Sequence, residues 1–303
     1  MRRFAAGLTL VVAISASVSA QPAATRSREE WIALAKSGFA LPDGARAVDM
    51  LVQLNAMLAS TDPVLRDDVA FSAAERWIVR DGRLQPAELR QLQQLWIGNL
   101  ADGLGSTGSD SVFKRSFSML SLSLIAQRDL AAPFLEPAEV EAFYDRALGY
   151  FREERDLRGF DLTRGWMHTV AHTSDTLKFL VRNPKLPGAR ASQLLGAVRA
   201  KVESADTVFT WGENDRMALA LQSAARRDDA NGAALEEWVA VWVDQYKVLW
   251  AKGPQVDPRL FAVVENARQI MRSLITALSL EAKPTSAGDT ARRVLLAGLA
   301  KMR

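Results

Sequence analysis

The sequence predicts an all-α fold, an αα-superhelix of stacked antiparallel helical hairpins. From Arg28 onwards apolar residues recur at spacings of three and four, and Pro, Gly, Asn or Asp interrupts them about every twenty residues. No run of alternating apolar and polar residues predicts a β-strand. Short helices with short connections bury their apolar stripes against neighbouring hairpins, which favours a superhelix, although a closed α/α toroid fits the same helix count.

Helix start signals and glycine-rich breaks give the order of the elements. Asp62 and Pro63 have the preferences of an N-cap and a first helical residue. The segment 62–70 also has the Pro, Arg and Ala spacing of a HEAT repeat helix, so the predicted superhelix is HEAT-like in architecture. The glycine-rich segment 103–110 interrupts the helical pattern. The predicted helices are 28–37, 44–59, 63–80, 86–99, 112–127, 137–155, 163–182, 189–204, 213–227, 233–251, 258–281 and 288–301.

The first residues are typical of a secretory signal peptide. Two arginines precede an apolar run at 4–14 that is too short to span a bilayer, and small residues at 18–20 suit a signal peptidase. We therefore expect a signal peptide at 1–20, cleavage after Ala20, and a single helical-repeat domain at 21–303. The mature protein is expected to be secreted, into the periplasm.

Composition argues against several kinds of partner. The chain has no Cys, which excludes disulfides and a lipid anchor on cysteine. Removing residues 1–20 takes away two of the 38 basic side chains and none of the 35 acidic ones, so the mature chain is almost neutral. Without a basic block, nucleic-acid binding has no electrostatic support. No later apolar run is long enough to predict a membrane span in the mature chain.

Both histidines of the chain lie close together, as His168 and His172, with Asp175 three residues further on. On a helix, at about 100° per residue, the three side chains share a narrow face, while Trp166 lies on the opposite, apolar side. This spacing can hold one divalent ion, with Asp175 as a third ligand or an orienting partner. Thr169 stands where His-Glu-x-x-His metalloproteases have their general base, so a base must come from elsewhere. A solvated polar helix face, or histidines hydrogen-bonded between helices, gives the same pattern.

Two acidic residues further along the chain are candidates to complete this site. Glu213, Asn214 and Asp215 lie where a helix begins, and Asn214 or Asp215 can simply cap backbone N–H groups. In the functional interpretation, Glu213 or Asp215 closes the histidine site from a neighbouring hairpin, as a metal ligand or general acid/base.

Three further groups have structural interpretations. Arg115 opens an apolar helix after the glycine-rich segment and is expected to pair with a carboxylate of the next hairpin. The alternating charges at 156–164 are expected to fix the connection before the histidines through ion pairs. Trp238, Trp242 and Tyr246 recur every four residues, which is more typical of a helix core than of a ligand-stacking stripe.

Four segments together resemble a known bacterial family. They are Phe113 to Ser118, Asp156 to Phe160, Gly165 to Asp175, and Gly212 to Arg216. The resemblance is to DUF2785, a domain of unknown function, and runs from about Ser60 to about Leu221. It implies a helical-repeat fold and no particular activity.

Three functions are open at this point. The preferred one is a non-enzymatic scaffold that binds a protein or peptide on its concave face, which also carries the polar site of His168, His172 and Asp175. The second is a metal-dependent hydrolase with one divalent ion on those residues and an acid from Glu213 or Asp215. A glycan-acting toroid would need two facing carboxylates, and Glu213 with Asp215 is the only hint of such a pair.

Overall fold

The computed structural model describes residues 26–251, 253 and 255–303, so the expected signal peptide at 1–20 lies outside the described residues. The described chain is all-α apart from one short β-hairpin, with strands β1 (Phe160–Asp161) and β2 (Gly165–Trp166). A 3-10 helix at Asn55–Ala59 follows α2, and π-helical segments at Val64–Phe71 and Glu75–Arg80 flank α3. The α-helices are α1 (Arg28–Lys36), α2 (Ala47–Leu54), α3 (Ser72–Ala74), α4 (Pro86–Asn99), α5 (Ser111–Ala131), α6 (Pro137–Glu153), α7 (Thr169–Arg182), α8 (Gly188–Glu203), α9 (Glu213–Ala225), α10 (Gly232–Trp250), α11 (Pro258–Ser279) and α12 (Ser286–Ala300).

Residues at the helix starts account for several boundaries. The Ser27 side chain accepts a hydrogen bond from the backbone N–H of Glu30, whose carboxylate accepts one from the backbone of Ser27, so α1 begins with a capping box. Both α4 and α6 begin with a proline, whose missing N–H has no partner to lose in the first turn. Asp257 accepts hydrogen bonds from two backbone N–H groups at the start of α11. Because these signals are local, the predicted starts of these helices agree closely with the structure.

The predicted helix 163–182 begins later than expected, at Thr169. Strands β1 and β2 pair antiparallel just before it. The Asp161 carboxylate accepts hydrogen bonds from the backbone N–H groups of Thr163 and Arg164, at 2.9 and 2.8 Å, and so closes a turn that competes with the helix. The expectation that no strand forms is therefore wrong at this one place.

The helices lie side by side in two layers. Helices α5, α7, α9 and α11 form one layer in that order, and α6, α8, α10 and α12 lie against it in a second. Successive helices of the chain therefore alternate between the two layers, which is the arrangement expected of stacked helical hairpins. The most extensive packing is that of α7 with α5 and α9, so the helix that follows the histidine segment is central in its layer. Whether the layers curve as an open superhelix or close as a toroid stays a prediction.

One large apolar core lies between the layers. Every helix of the first layer contributes a fully buried side chain to it, and examples are Phe117, Leu177, Met217 and Met271. Trp238 and Trp242 are buried in the same core and Tyr246 packs against it, which confirms that this stripe of α10 is structural. None of the described helices combines the length and the apolar character needed to cross a membrane.

Candidate functional site

The two histidines lie at the start of α7. His168 is the residue before the helix and has a left-handed backbone conformation, with a φ of 52°, which is uncommon for a residue other than glycine. Its carbonyl accepts the backbone N–H of His172 at 2.9 Å, and the two ring centroids are 5.4 Å apart. The structure thus brings the predicted pair together, although His168 is the residue before the helix and does not lie along its face.

A carbonyl oxygen fixes the tautomer of His168. The Nε2 atom lies 2.9 Å from the backbone oxygen of Trp211. Since a carbonyl oxygen can only accept a hydrogen bond, Nε2 must carry the proton, and Nδ1 keeps a free lone pair. The nearest carboxylate oxygen to Nε2, Oε1 of Glu213, is 3.8 Å away, which is too long for a hydrogen bond.

A second carbonyl fixes the tautomer of His172 through a hydroxyl group. Ser116 Oγ contacts both the backbone oxygen of Met167 and, at 2.8 Å, Nδ1 of His172. The hydroxyl has one hydrogen, and it must go to the carbonyl, so His172 Nδ1 donates to Ser116. The lone pair of His172 is therefore on Nε2. Among the described residues, neither this nitrogen nor Nδ1 of His168 has a hydrogen-bond partner.

Burial keeps both rings neutral. Each histidine is only 7% exposed. Desolvation lowers the pKa of His168 to about 4, although the Trp211 carbonyl opposes this shift. Desolvation also lowers the pKa of His172 well below its usual value, and His168 and Arg216 add to the effect. At neutral pH the site therefore presents two uncharged imidazoles.

Asp175 is directed away from the role of a third ligand. Its carboxylate accepts hydrogen bonds from Lys178 at 2.9 Å and from Arg216 of α9 at 2.5 Å. Both partners are cations, so the carboxylate is already neutralised. In the part of the chain that the structure describes, no group of three or more His, Cys, Asp or Glu side chains is arranged to hold a metal ion. The narrow face predicted for His168, His172 and Asp175 assumed that all three belong to one helix, which is not so for His168.

The two candidate acids point in different directions. Glu213, the first residue of α9, is 2% exposed and accepts the backbone N–H of Trp211 at 2.9 Å. Burial raises its pKa. Asp215 is exposed and accepts a hydrogen bond from Ser273 of α11 at 2.5 Å. Only Glu213 therefore lies beside the histidines, and the two carboxylates do not form a facing pair.

An aromatic cluster borders the histidines. Trp166 stacks on the ring of His168, with centroids 4.7 Å apart and planes inclined by 22°. Phe160 and Trp211 lie around Trp166, at centroid distances of 4.7 and 6.1 Å. The expectation that Trp166 anchors the apolar side of the helix is wrong, because Trp166 belongs to β2 and turns towards the site. Phe160 and Trp211 were not predicted as site residues, although both lie in or next to the segments that carry the family resemblance.

Ion pairs, one of them fully buried, hold the elements around this site. Arg115 pairs with Glu154, next to the end of α6, at 2.7 Å, and the two side chains are 0% and 2% exposed. This confirms the expected pairing with the next hairpin. Asp156 and Arg158 pair at 2.6 Å in the connection before β1, and Arg164 pairs with an acid at the hairpin turn, as expected for this stretch.

Buried Arg66 joins the hairpin to the N-terminal helices. Its guanidinium group lies over the rings of Phe113 and Phe117, at 4.2 and 4.6 Å from their centroids. It also donates to the backbone oxygen of Arg164 at 2.7 Å. Gly165 follows, with a φ of 74°, and a Cβ atom there would be 3.0 Å from the Pro63 side chain. Arg66 and Pro63 thus fix the course of the chain where it enters β2 and leads to His168.

A partly enclosed cavity of the described chain lies elsewhere. It measures about 240 Å³ and is lined mainly by apolar side chains of α8 to α12, such as Leu195, Leu221 and Val294. It contains neither histidine. We place the candidate site at the histidines because polar groups with unused hydrogen-bonding capacity converge there, and chemistry of that kind is what distinguishes a site from a packing gap.

The fold and the site together define an all-α protein with a neutral histidine pair beside an aromatic cluster. The chain belongs to the family described as Protein of unknown function (DUF2785), whose model matches residues 100–276. The match includes Ser116, both histidines, the hairpin and the start of α9, so the resemblance seen in the sequence is confirmed. No curated protein matches the chain. No solved structure matches it either.

Proposed function

We propose that the protein is a non-enzymatic binding protein whose recognition site is the pair His168 and His172. One observation carries the proposal: each imidazole uses one nitrogen in an internal hydrogen bond and keeps the other as a free acceptor. An unpaired acceptor on a side chain that is nine-tenths buried lowers the stability of the protein unless a ligand or water donates a hydrogen bond to it. The site is thus suited to a ligand that donates hydrogen bonds.

The alternative, a metal-dependent hydrolase, has less support. It needs a third ligand, but Asp175 accepts hydrogen bonds from two cations. It also needs a general base, and Glu213, the acid beside the histidines, already accepts the backbone N–H of Trp211 at 2.9 Å. Ser116 is an equally poor nucleophile, because its proton is donated to a carbonyl and not to a histidine.

The cellular setting and the wider surface belong to the same proposal. The charged start, short apolar run and small residues at 18–20 support export to the periplasm with cleavage after Ala20. A protein or peptide partner on the concave surface is supported by the stacked helical hairpins, which offer an extended surface. Leu162, in the turn between β1 and β2, is an exposed apolar side chain available to such a partner.

The test is nitrogen NMR of the imidazole rings in the mature protein. The chain has 2 histidines, so His168→Asn and His172→Asn variants assign all ring signals. We expect a protonated Nε2 in His168, a protonated Nδ1 in His172, and no stoichiometric Zn²⁺ after dialysis against the metal. Zn²⁺ retained at one ion per chain and lost in both variants would refute the binding proposal and favour the metal-dependent alternative.

A further inference from the structure

We infer that the ligand of this site is a neutral polyhydroxyl compound, that is, a sugar. The inference rests on the proposed binding function and adds the chemical class of the ligand. Three features of the site support it: the acceptor pair, the local charge, and the aromatic surface beside them.

The acceptor pair requires donors on the ligand. His168 Nδ1 and His172 Nε2 are both lone-pair nitrogens, on rings whose centroids are 5.4 Å apart. Two neighbouring hydroxyl groups of one sugar ring can donate to two such acceptors. A site built to accept hydrogen bonds rejects an analogue without donors, because its buried acceptors would stay unpaired.

The local charge argues against ionic ligands. Asp175 and Glu213 are the carboxylates beside the histidines, and the cations Lys178 and Arg216 balance them in number. An ammonium ligand would therefore meet no excess of negative charge to compensate its own. An anion would face two lone pairs and would need a protonated ring, which the burial of both histidines opposes. A neutral ligand that donates hydrogen bonds avoids both unfavourable interactions.

The aromatic cluster offers a flat surface for stacking and does not form an aromatic cage around a cation. Phe160, Trp166 and Trp211 have centroids 4.7 to 6.1 Å apart, so the rings pack against one another and leave no enclosed space for a cation. Trp211 is 46% exposed. An exposed indole beside hydrogen-bond acceptors is suited to a sugar ring, which has an apolar C–H face and a polar edge. Arg216, 47% exposed in its side chain, can donate to hydroxyl oxygens at the rim.

The experiment titrates the mature protein with glucose, maltose, cellobiose and chitobiose while the histidine nitrogen signals are followed. Inorganic phosphate and tetramethylammonium serve as an anionic and a cationic probe. We expect at least one sugar to shift the signals of His168 Nδ1 and His172 Nε2 saturably, and neither ionic probe to do so. Trp211→Ala should weaken the binding of that sugar roughly tenfold. The matched control is Trp250→Ala on α10, where a tryptophan of similar exposure, 42%, should leave binding unchanged.

The outcomes separate the two proposals. If no sugar moves either signal, or if only phosphate or tetramethylammonium does, the sugar class is wrong while the binding function stands. If Trp211→Ala and Trp250→Ala weaken binding equally, the indole face is not part of the site and the inference fails. Stoichiometric Zn²⁺ on the histidines would instead refute the binding function itself.

Discussion

Two carbonyl oxygens decide which nitrogen of each histidine carries the proton. The oxygen of Trp211 selects Nε2 of His168, and the oxygen of Met167 selects Nδ1 of His172 through the Ser116 hydroxyl. No carboxylate oxygen is within hydrogen-bonding distance of either ring in the described chain. Because burial disfavours a charged ring and no carboxylate is hydrogen-bonded to either one, both rings are held neutral, and their chemistry is that of acceptors and not of acids.

At this scale we expect acid to destabilise the protein through His168. Its pKa falls from 6.5 to about 4 on folding. Between these pH values the unfolded chain binds a proton at His168 and the folded chain does not. The free energy of unfolding therefore decreases as the pH falls through this window, and this effect is absent above it. The loss by the lower end is on the order of 3 kcal/mol. Urea unfolding at a series of pH values measures it.

The control for this effect is His168→Asn. Asparagine tolerates the left-handed backbone that His168 adopts and has no titrating group. The variant should therefore lose this part of the pH dependence, whatever its stability at neutral pH. An unchanged pH dependence in the variant would mean that His168 titrates normally, and the description of a buried neutral ring would be wrong.

Among the elements, the β1–β2 hairpin is the one that shapes the site. It brings Trp166 onto His168, and the residue before it, Gly159, lies against α9 so closely that a Cβ would be 2.3 Å from Trp211 and 2.6 Å from Glu213. Helical spacing predicted the body of α7 and the proximity of the histidines. It could not predict the hairpin, whose strands are two residues long, or the pairing of Asp175 with Arg216, which lies 41 positions later in the chain.

We expect Gly159→Ala to destabilise the protein by about 1–3 kcal/mol, because the new methyl group must displace Trp211 and Glu213. The matched control is Gly196→Ala in α8, where a Cβ has nothing within 4 Å. There alanine should stabilise the helix by roughly 0.5–1 kcal/mol. Urea unfolding of both variants measures the difference, and a stabilising Gly159→Ala would show that this approach is not tight.

The ion pair that ties α5 to the end of α6 should matter far more than a surface pair. Arg115→Ala leaves Glu154 buried without its cation and should cost about 3–5 kcal/mol. Lys247→Ala removes a cation from an exposed pair with Asp244, 67% and 72% exposed, and should cost below about 1 kcal/mol. Thermal and urea unfolding compare them. Equal losses would contradict the structural role assigned to Arg115.

At the scale of the whole molecule, the site lies where the helices of the first layer pack most extensively against one another. Helix α7 has α5 on one side and α9 on the other, and these three helices supply Ser116, His172 and Arg216. The all-α class followed from apolar spacing alone, since that pattern reports which face of each helix is buried. The curvature of the layers does not follow from it, because small rotations between neighbouring hairpins, set by side-chain packing, add up along the chain.

We expect the layers to form an open superhelix, with the first and last helices far apart. Helix α1 packs on the Val64–Phe71 segment, which packs on α5, while α12 packs on α10 and α11. Three helix spacings of about 8–10 Å separate α5 from α11, so α1 and α12 should be at least ~25 Å apart. The chain has no cysteine, so Glu29→Cys with Arg293→Cys places two spin labels on exposed positions of these helices.

Pulsed electron paramagnetic resonance then gives the distance between the labels. The control pair is Glu237→Cys with Arg293→Cys, on the neighbouring helices α10 and α12, which are close together in either architecture. A long distance for the first pair with a short one for the control fits an open row of hairpins. Two short distances would mean that the ends meet, as they must when hairpins stack around a full circle. In that case the closed α/α toroid is the correct architecture, and the histidines would lie at one end of a ring and not on the concave wall of a superhelix.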